Sequence, residues 1–174
     1  MKKLSLLAII LIATCAIAMA QPRAIGGRLG WNIGASYQHQ IGEKHMIQAD
    51  LDFIGYGLWG PQGTVTFNWI IPLVSVDAGK LNLYPGVGVG GGYRWWSHGF
   101  VGVAGMIGIE WTFKFPLQLS FEYRPLIGPS LYQEYFYDDF GWITDKKRIG
   151  ACFNYGGLWS SAVAIGVRYK FGGK

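Results

Sequence analysis

GIEWTFKFPLQLSFEYRP, residues Gly108 to Pro125, decides the fold. Ile109, Trp111 and Phe113 share one parity, while Gly108, Glu110, Thr112 and Lys114 share the other. After Phe115-Pro116 the alternation restarts. Leu117, Leu119, Phe121 and Tyr123 now oppose Gln118, Ser120, Glu122 and Arg124. Successive side chains of a strand point to opposite faces. Each arm therefore has one bulky apolar face and one face of small, polar or charged residues. Pro116 cannot donate to a ladder, so it marks the turn between two antiparallel strands.

The same period runs outward along the chain. Ile47, Ala49, Leu51 and Phe53 oppose Gln48, Asp50 and Asp52, and Val65, Phe67 and Trp69 oppose Thr64, Thr66 and Asn68. Leu83, Val87 and Val89 oppose Asn82, Gly86, Gly88, Gly90, Gly92 and Arg94. Val101, Val103 and Ile107 oppose Gly102, Ala104 and Gly108, and Ile165, Val167, Tyr169 and Phe171 oppose Ala164, Gly166, Arg168 and Lys170. A soluble sandwich alternates too, with its apolar face inward. Two features favour the inverted arrangement. The polar faces are rich in glycine and alanine and carry charges of both signs, which suits a narrow, crowded lumen. The segments also approach the ~9–11 residues that a tilted strand needs to cross a bilayer. Aromatic residues gather near strand ends (Trp31, Tyr56, Trp59, Trp95, Trp96, Trp111, Tyr123 and Tyr169), as interfacial girdles do.

The first twenty residues give the context. Lys2 and Lys3 precede the apolar run Leu4–Ile17, and Ala18-Met19-Ala20 supplies a small-x-small cleavage triplet. This reads as a secretory signal peptide over residues 1–20. The run is too short for a spanning helix, which needs ~20 apolar residues. A mature domain over 21–174 is expected. Lys2 and Lys3 are two of the fifteen basic residues, so thirteen remain against ten acidic ones, a net charge of +3. That mild, dispersed charge gives no basis for nucleic-acid binding. Cys15 departs with the leader, leaving Cys152 alone without a disulfide partner. His39, His45 and His98 have no metal-ligand spacing, so neither metal nor cofactor is expected.

Strand count has two solutions, both giving eight. Ala24 to Gln38 is either one long strand, with another near Arg148 to Tyr155, or two short strands broken near Asn32–Gly34. Outer-membrane barrels have an even strand number, short periplasmic turns and longer outer loops. The broken reading makes Glu43-Lys44, Ser75 to Lys80 and Phe115-Pro116 inner turns and puts Gly128 to Leu158 outside. The unbroken one leaves about twenty irregular residues on the periplasmic side, against that rule. The broken reading is preferred. Pro85 falls inside a predicted strand of a barrel without edges, where a bulge is expected.

GIEWTFKFPLQLSFEYRP resembles the strand, tight turn, strand unit of the transmembrane domain of outer membrane protein A and of the opacity-type small porin-like barrels. SAVAIGVRYKFG (Ser161 to Gly172) resembles their closing strand, and LNLYPGVGVGGGYRW (Leu81 to Trp95) is compatible with their fifth. The resemblance implies an all-β, eight-stranded antiparallel up-and-down transmembrane barrel in the outer membrane of a Gram-negative cell. It implies partnership with outer-membrane lipid and with the barrel insertion machinery. Such barrels end on an aromatic residue; here Phe171 is followed by Gly172, Gly173 and Lys174, a short tail.

Two sets of candidate site residues follow. The first is a lumen charge network of Arg28, Asp50, Asp52, Arg94, Glu110, Glu122, Arg124 and Arg168, joined by Lys170 at the same parity. Eight strands enclose a space just wide enough for side chains. Unpaired charges there would be costly, so an ion-paired plug is expected before a conduit. The second is the aromatic outer segment, with Tyr132, Tyr135, Tyr137 and Trp142 as recognition candidates for an extracellular ligand. Its alternative is a self-packed cap over the mouth. The expected function is non-enzymatic, structural or surface-interacting. A small-solute pore is the alternative and a lipid-modifying enzyme the third reading. The enzyme would need a Ser/His/acid set, and Ser36 and His39 fall on opposite faces while Ser97 and His98 lack an acid.

Overall fold

The structure, a computed structural model, describes residues 22–55, 60–94, 98–137, 143–154 and 162–172, with the side chains of 94, 98, 132–137 and 143–154 outside that description. The expected signal peptide, residues 1–20, lies outside the described residues, as do Tyr56, Trp59, Trp95, Trp96 and Trp142.

Among the described residues, eleven strands follow one another: β1 (Arg23–Gly30), β2 (Asn32–Ile41), β3 (His45–Ile54), β4 (Gly60–Trp69), β5 (Ile71–Val76), β6 (Gly79–Arg94), β7 (His98–Phe113), β8 (Leu117–Tyr123), β9 (Leu126–Tyr137), β10 (Ile143–Asn154) and β11 (Val163–Phe171). All pairings are antiparallel. Ten of these strands make eight staves, and β10 lies outside the ring. β4 and β5 lie end to end along β6, since Asn68↔Gly86 and Ile71↔Leu83 keep one register. β8 and β9 lie end to end along β7, through Tyr123↔Ile107 and Leu126↔Ala104. β11 pairs with both β8 and β1, which closes the ring. The protein is thus a closed, eight-stranded antiparallel β-barrel.

The break in the first long alternation falls at Trp31. Leu29 pairs with Ile33, so β1 and β2 form a hairpin with one residue between them. The expected inner turns lie at one end of the barrel, at Gly42–Lys44, Asp77-Ala78 and Lys114–Pro116. Gly42 takes φ of 64°, a left-handed conformation that favours glycine. Both chain ends of the barrel, Arg23 and Phe171, pair with each other at this same end.

Two details differ from expectation. Pro85 produces no bulge in β6, whose register with β7 runs unbroken from Gly79↔Phe113 to Arg94↔His98. Instead the neighbouring stave is interrupted beside it, between Trp69 and Ile71, because proline offers no N–H for that ladder. The register shift lies nearby, between Pro72 and Val74. Arg148 to Asn154 is no barrel stave, in keeping with the preferred reading, but it forms a regular strand, which that reading did not specify. β10 pairs with β9, from Ile143↔Tyr137 to Asn154↔Gly128, as the second arm of a hairpin at the end away from the short turns.

The barrel is polar inside and apolar outside. Val103, Phe121 and Ile107 are 65%, 57% and 48% exposed on the outer wall, while Arg168 and Glu122 are 1% and 0% exposed inside. Along β3 the inward residues run Met46, Gln48, Asp50, Asp52, Ile54. The charges of β3 thus lie between two apolar layers. Met46, Tyr84 and Met106 cluster with Ile70 toward the turn end. Ile54, Phe100, Ala104 and Leu126 cluster toward the other. The glycines of β6 leave room for β4 side chains. A Cβ on Gly86 would meet Asn68 Oδ1 at 1.9 Å, and one on Gly90 would meet Thr64 Cγ2 at 2.4 Å. Tyr84 lies instead over Gly108 of β7, where a Cβ would meet its ring at 2.3 Å.

Candidate functional site

The charged lumen is assembled from strands that all present even-numbered residues inward. β1 contributes Arg28, β3 Asp50 and Asp52, β8 Glu122, and β11 Arg168, with Arg124 just past the end of β8. Arg28 Nη1 donates to Asp52 Oδ2 at 2.7 Å and its Nε to Glu122 Oε2 at 2.9 Å. Its Nε lies 3.9 Å from Asp50 Oδ1. Arg124 clamps both aspartates, Nη1 on Asp50 Oδ2 and Nη2 on Asp52 Oδ2. Arg168 Nη2 donates to Glu122 Oε1, while its Nε and Nη1 donate to Ser36 Oγ at 2.9 Å and Ser120 Oγ at 2.7 Å.

Glu122 is the hub. Besides two guanidiniums, it accepts from Tyr84 Oη and Ser120 Oγ at 2.8 Å each, and from Gln48 Nε2 at 3.2 Å. Three arginines and three carboxylates thus face one another with almost no access to water. Buried charges at this depth persist only when paired and hydrogen-bonded. The six ion pairs within 4.0 Å meet that condition.

Amides extend the network toward the turns. Gln48 Nε2 also donates to Asp50 Oδ2 at 2.9 Å, and Gln38 Nε2 donates to Gln48 Oε1 at 2.9 Å. Gln118 Nε2 donates to Gln38 Oε1 at 2.8 Å and to Glu110 Oε2. Asn82 Nδ2 reaches Glu110 Oε1 at 3.0 Å. Among the described residues, Glu110 therefore takes its hydrogen bonds from amides and has no ion pair within 4.0 Å. Gln38, Gln48, Gln118, Ser36 and Ser120 stand outside the set of charges chosen from the sequence, yet they share its parity, which was the available signal.

Of the expected lumen charges, Arg28, Asp50, Asp52, Glu122, Arg124 and Arg168 come together, and Glu110 joins through glutamines. Lys170 is half-buried at the turn end. Arg94 ends β6, its side chain outside the described residues. Of the outer recognition candidates, Tyr132, Tyr135 and Tyr137 lie on β9 opposite Gly150, Lys147 and Ile143, their side chains likewise outside the description. Ser36 faces the lumen under Arg168, whereas His39 lies half-buried beside Tyr37, Oη to Nδ1 at 3.2 Å, so the two do not form a catalytic pair. No group of His, Cys, Asp and Glu suited to a metal occurs among the described residues.

Aromatic residues ring the turn end of the outer wall. Phe67 stacks on His45 with centroids 5.4 Å apart and meets Trp69 edge-on at 5.4 Å. Phe113 stacks on Phe115 at 4.9 Å and meets Trp111 at 6.3 Å. No protein-family model matches the chain, and neither a curated protein nor a solved structure matches it.

Proposed function

We propose that the chain is an integral barrel of a Gram-negative outer membrane, with a structural and surface-interaction role exercised through the β9–β10 hairpin. One observation carries this reading: the polarity of the barrel is inverted. Soluble monomers rarely expose contiguous apolar patches beyond a few hundred Å². Here Ile25, Leu51, Val65, Val89, Val103 and Phe121, on six different staves, are all exposed. Hydrocarbon is the solvent that favours such a wall, and a closed barrel leaves no backbone edge unsatisfied within it. The aromatic ring at the turn end fits an interfacial girdle. The leader expected from residues 1–20 would bring the chain to the periplasm, where insertion machinery meets it.

The lumen is read as a structural plug. Its interior is crossed by the Arg28–Asp52–Arg124–Asp50 and Glu122–Arg168 pairs and closed toward each end by an apolar cluster. Fractionation of expressing cells tests the membrane assignment. The protein should sediment with outer membranes, resist urea extraction and change gel mobility on boiling; recovery as a soluble periplasmic protein would overturn it. Planar-bilayer recording tests the plug. Steady conductance would replace it with the pore reading.

A further inference from the structure

An open groove of about 550 Å³ crosses the outer wall. Its lining runs over six consecutive staves, from Ile25 of β1 to Val101 of β7. Ala35, Ala49, Gly63 and Gly91, one on each of the four middle staves, supply its floor. Two positions along the strand from each stands a larger outward residue, as Val65 beside Gly63 and Val89 beside Gly91. Register joins the staves here, with Gly63 paired to Gly91 and Ala49 to Val65.

Packing within the barrel does not explain Gly63. A Cβ on it would meet nothing within 4 Å. One on Gly91 would meet Phe100 O at 2.7 Å, and one on lumen-facing Gly88 would meet Val65 O at 2.0 Å. Glycine inside a strand weakens it. At Gly91 and Gly88 the neighbouring backbone demands it. At Gly63 what it leaves is room on the outer wall.

Dimensions and polarity select the occupant. The volume is that of a small-molecule site, about 300–1,000 Å³. Five interstrand spacings of about 4.8 Å make the groove about 24 Å long, so its mean cross-section is about 23 Å². A helix, about 10–12 Å across, cannot enter it. An unbranched hydrocarbon chain can. Fourteen residues line it, fewer than the ~20–30 on each side of a stable protein interface, so it is not the footprint of a second copy. No charge faces the occupant. Asp50 borders the groove but turns its carboxylate to Arg124 in the lumen, and the Tyr37 hydroxyl is held by His39 Nδ1 at 3.2 Å.

We propose that this groove seats one acyl chain of a membrane lipid, laid across β2 to β6 over Gly63. The proposal rests on the reading of the outer wall as lipid-facing. It goes beyond that reading by making one stretch of the wall a site.

The test uses the whole mature chain folded in dodecylmaltoside micelles, with boiling-dependent gel mobility as the check of folding. The probe is a phosphatidylethanolamine with a diazirine in one palmitoyl chain, added at trace level, photolysed and located by peptide mass spectrometry. Label should concentrate on Ala49, Leu51, Val65 and Val89, and fall when the same lipid without the diazirine is added in excess. Gly63→Leu and Ala49→Leu each fill the floor and displace about two methylenes of the chain, so labelling should drop about tenfold in either. Leu119→Phe, on the stave opposite β3, should leave it unchanged. Label spread evenly around the wall, or indifferent to both filling variants, would overturn the proposal. Competition by free palmitate and not by the intact lipid would overturn the lipid as the source of the chain. Dimers that both filling variants abolish, with no lipid label in the groove, would give it to a second copy instead. Competed labelling of a chain that fractionates as a soluble protein would leave the acyl-chain site standing and remove the membrane reading.

Discussion

Glu122 shows how much one buried carboxylate can hold. Its oxygens collect two guanidiniums, a phenol, a serine hydroxyl and an amide from five different strands. Glu122→Gln removes the charge that Arg28 and Arg168 both face and leaves each under-compensated. Breaking a buried ion pair from one side costs about 3–5 kcal/mol. A urea titration of the folded barrel in detergent should show a loss of that order. Tyr84→Phe deletes one hydrogen bond to the same carboxylate while keeping the ring over Gly108, so about 1.5–3 kcal/mol is expected, less than for Glu122→Gln. If both variants cost the same small amount, the charges are not acting as a unit. The members of this network were legible individually, because parity alone puts them inside. Their pairing was not. Arg28 and Glu122 are 94 residues apart, and Arg168 and Ser36 are 132 apart. Only the closed ring, which brings β1 beside β11, decides who meets whom.

At the scale of the strand, a narrow barrel asks its inward positions to sit close to the next stave. A Cβ on Gly26 would lie 1.9 Å from Val167 O and 2.6 Å from Arg168 Cα. One residue on, a Cβ on outward Gly27 would find only Gly34 O, at 3.8 Å. These two positions make a matched pair. Gly26→Ala forces backbone movement of β1 against β11, and overpacking of that kind costs about 1–3 kcal/mol. Gly27→Ala should change stability little. Boiling-dependent gel mobility and urea midpoints of the two variants check it, and equal behaviour would show that β1 is free to shift. Strand parity was readable because a one-residue error moves every side chain to the wrong face. Interruptions were less readable. Pro85 was visible, but its consequence fell on the adjacent stave at Ile70, a partner known only from the pairing of β6 with β4 and β5. Pro125 likewise separates β8 from β9, yet both keep one register along β7. The second arm of the tip hairpin was legible only as a competing stave near Arg148, because alternation does not say which strand a segment pairs with, and its described partner is β9 alone.

For the whole molecule, the inverted polarity and the unequal ends each yield a test. Ile107 lies on the outer wall in the middle of the paired length of β7, and Phe115 lies on the same wall at the turn end. Arginine on a lipid-facing barrel position costs about 2–4 kcal/mol at the midplane and falls to about 0–1 near the interface. Ile107→Arg should therefore impair spontaneous folding into lipid vesicles, and Phe115→Arg should barely affect it. Equal tolerance would remove the hydrocarbon from the account of the outer wall. Orientation follows from the strand count. Staves alternate in direction, so the turns at Gly42–Lys44, Asp77-Ala78 and Lys114–Pro116 share one side with the start of β1 and the end of β11. The β9–β10 hairpin lies on the opposite side. A leader-directed chain reaches the membrane from the periplasm, and outer-membrane barrels keep their short turns on that side and their longer loops outside. The hairpin should then face outward. In a Cys152→Ser background, Glu43→Cys should resist a membrane-impermeant maleimide on intact cells and react once the outer membrane is opened. Trypsin added to the same intact cells should cut at Lys146, Lys147 or Arg148, where the register slip leaves β10 least tied to β9. Labelling of Glu43→Cys from outside, with those basic sites protected, would turn the barrel over and place the hairpin in the periplasm.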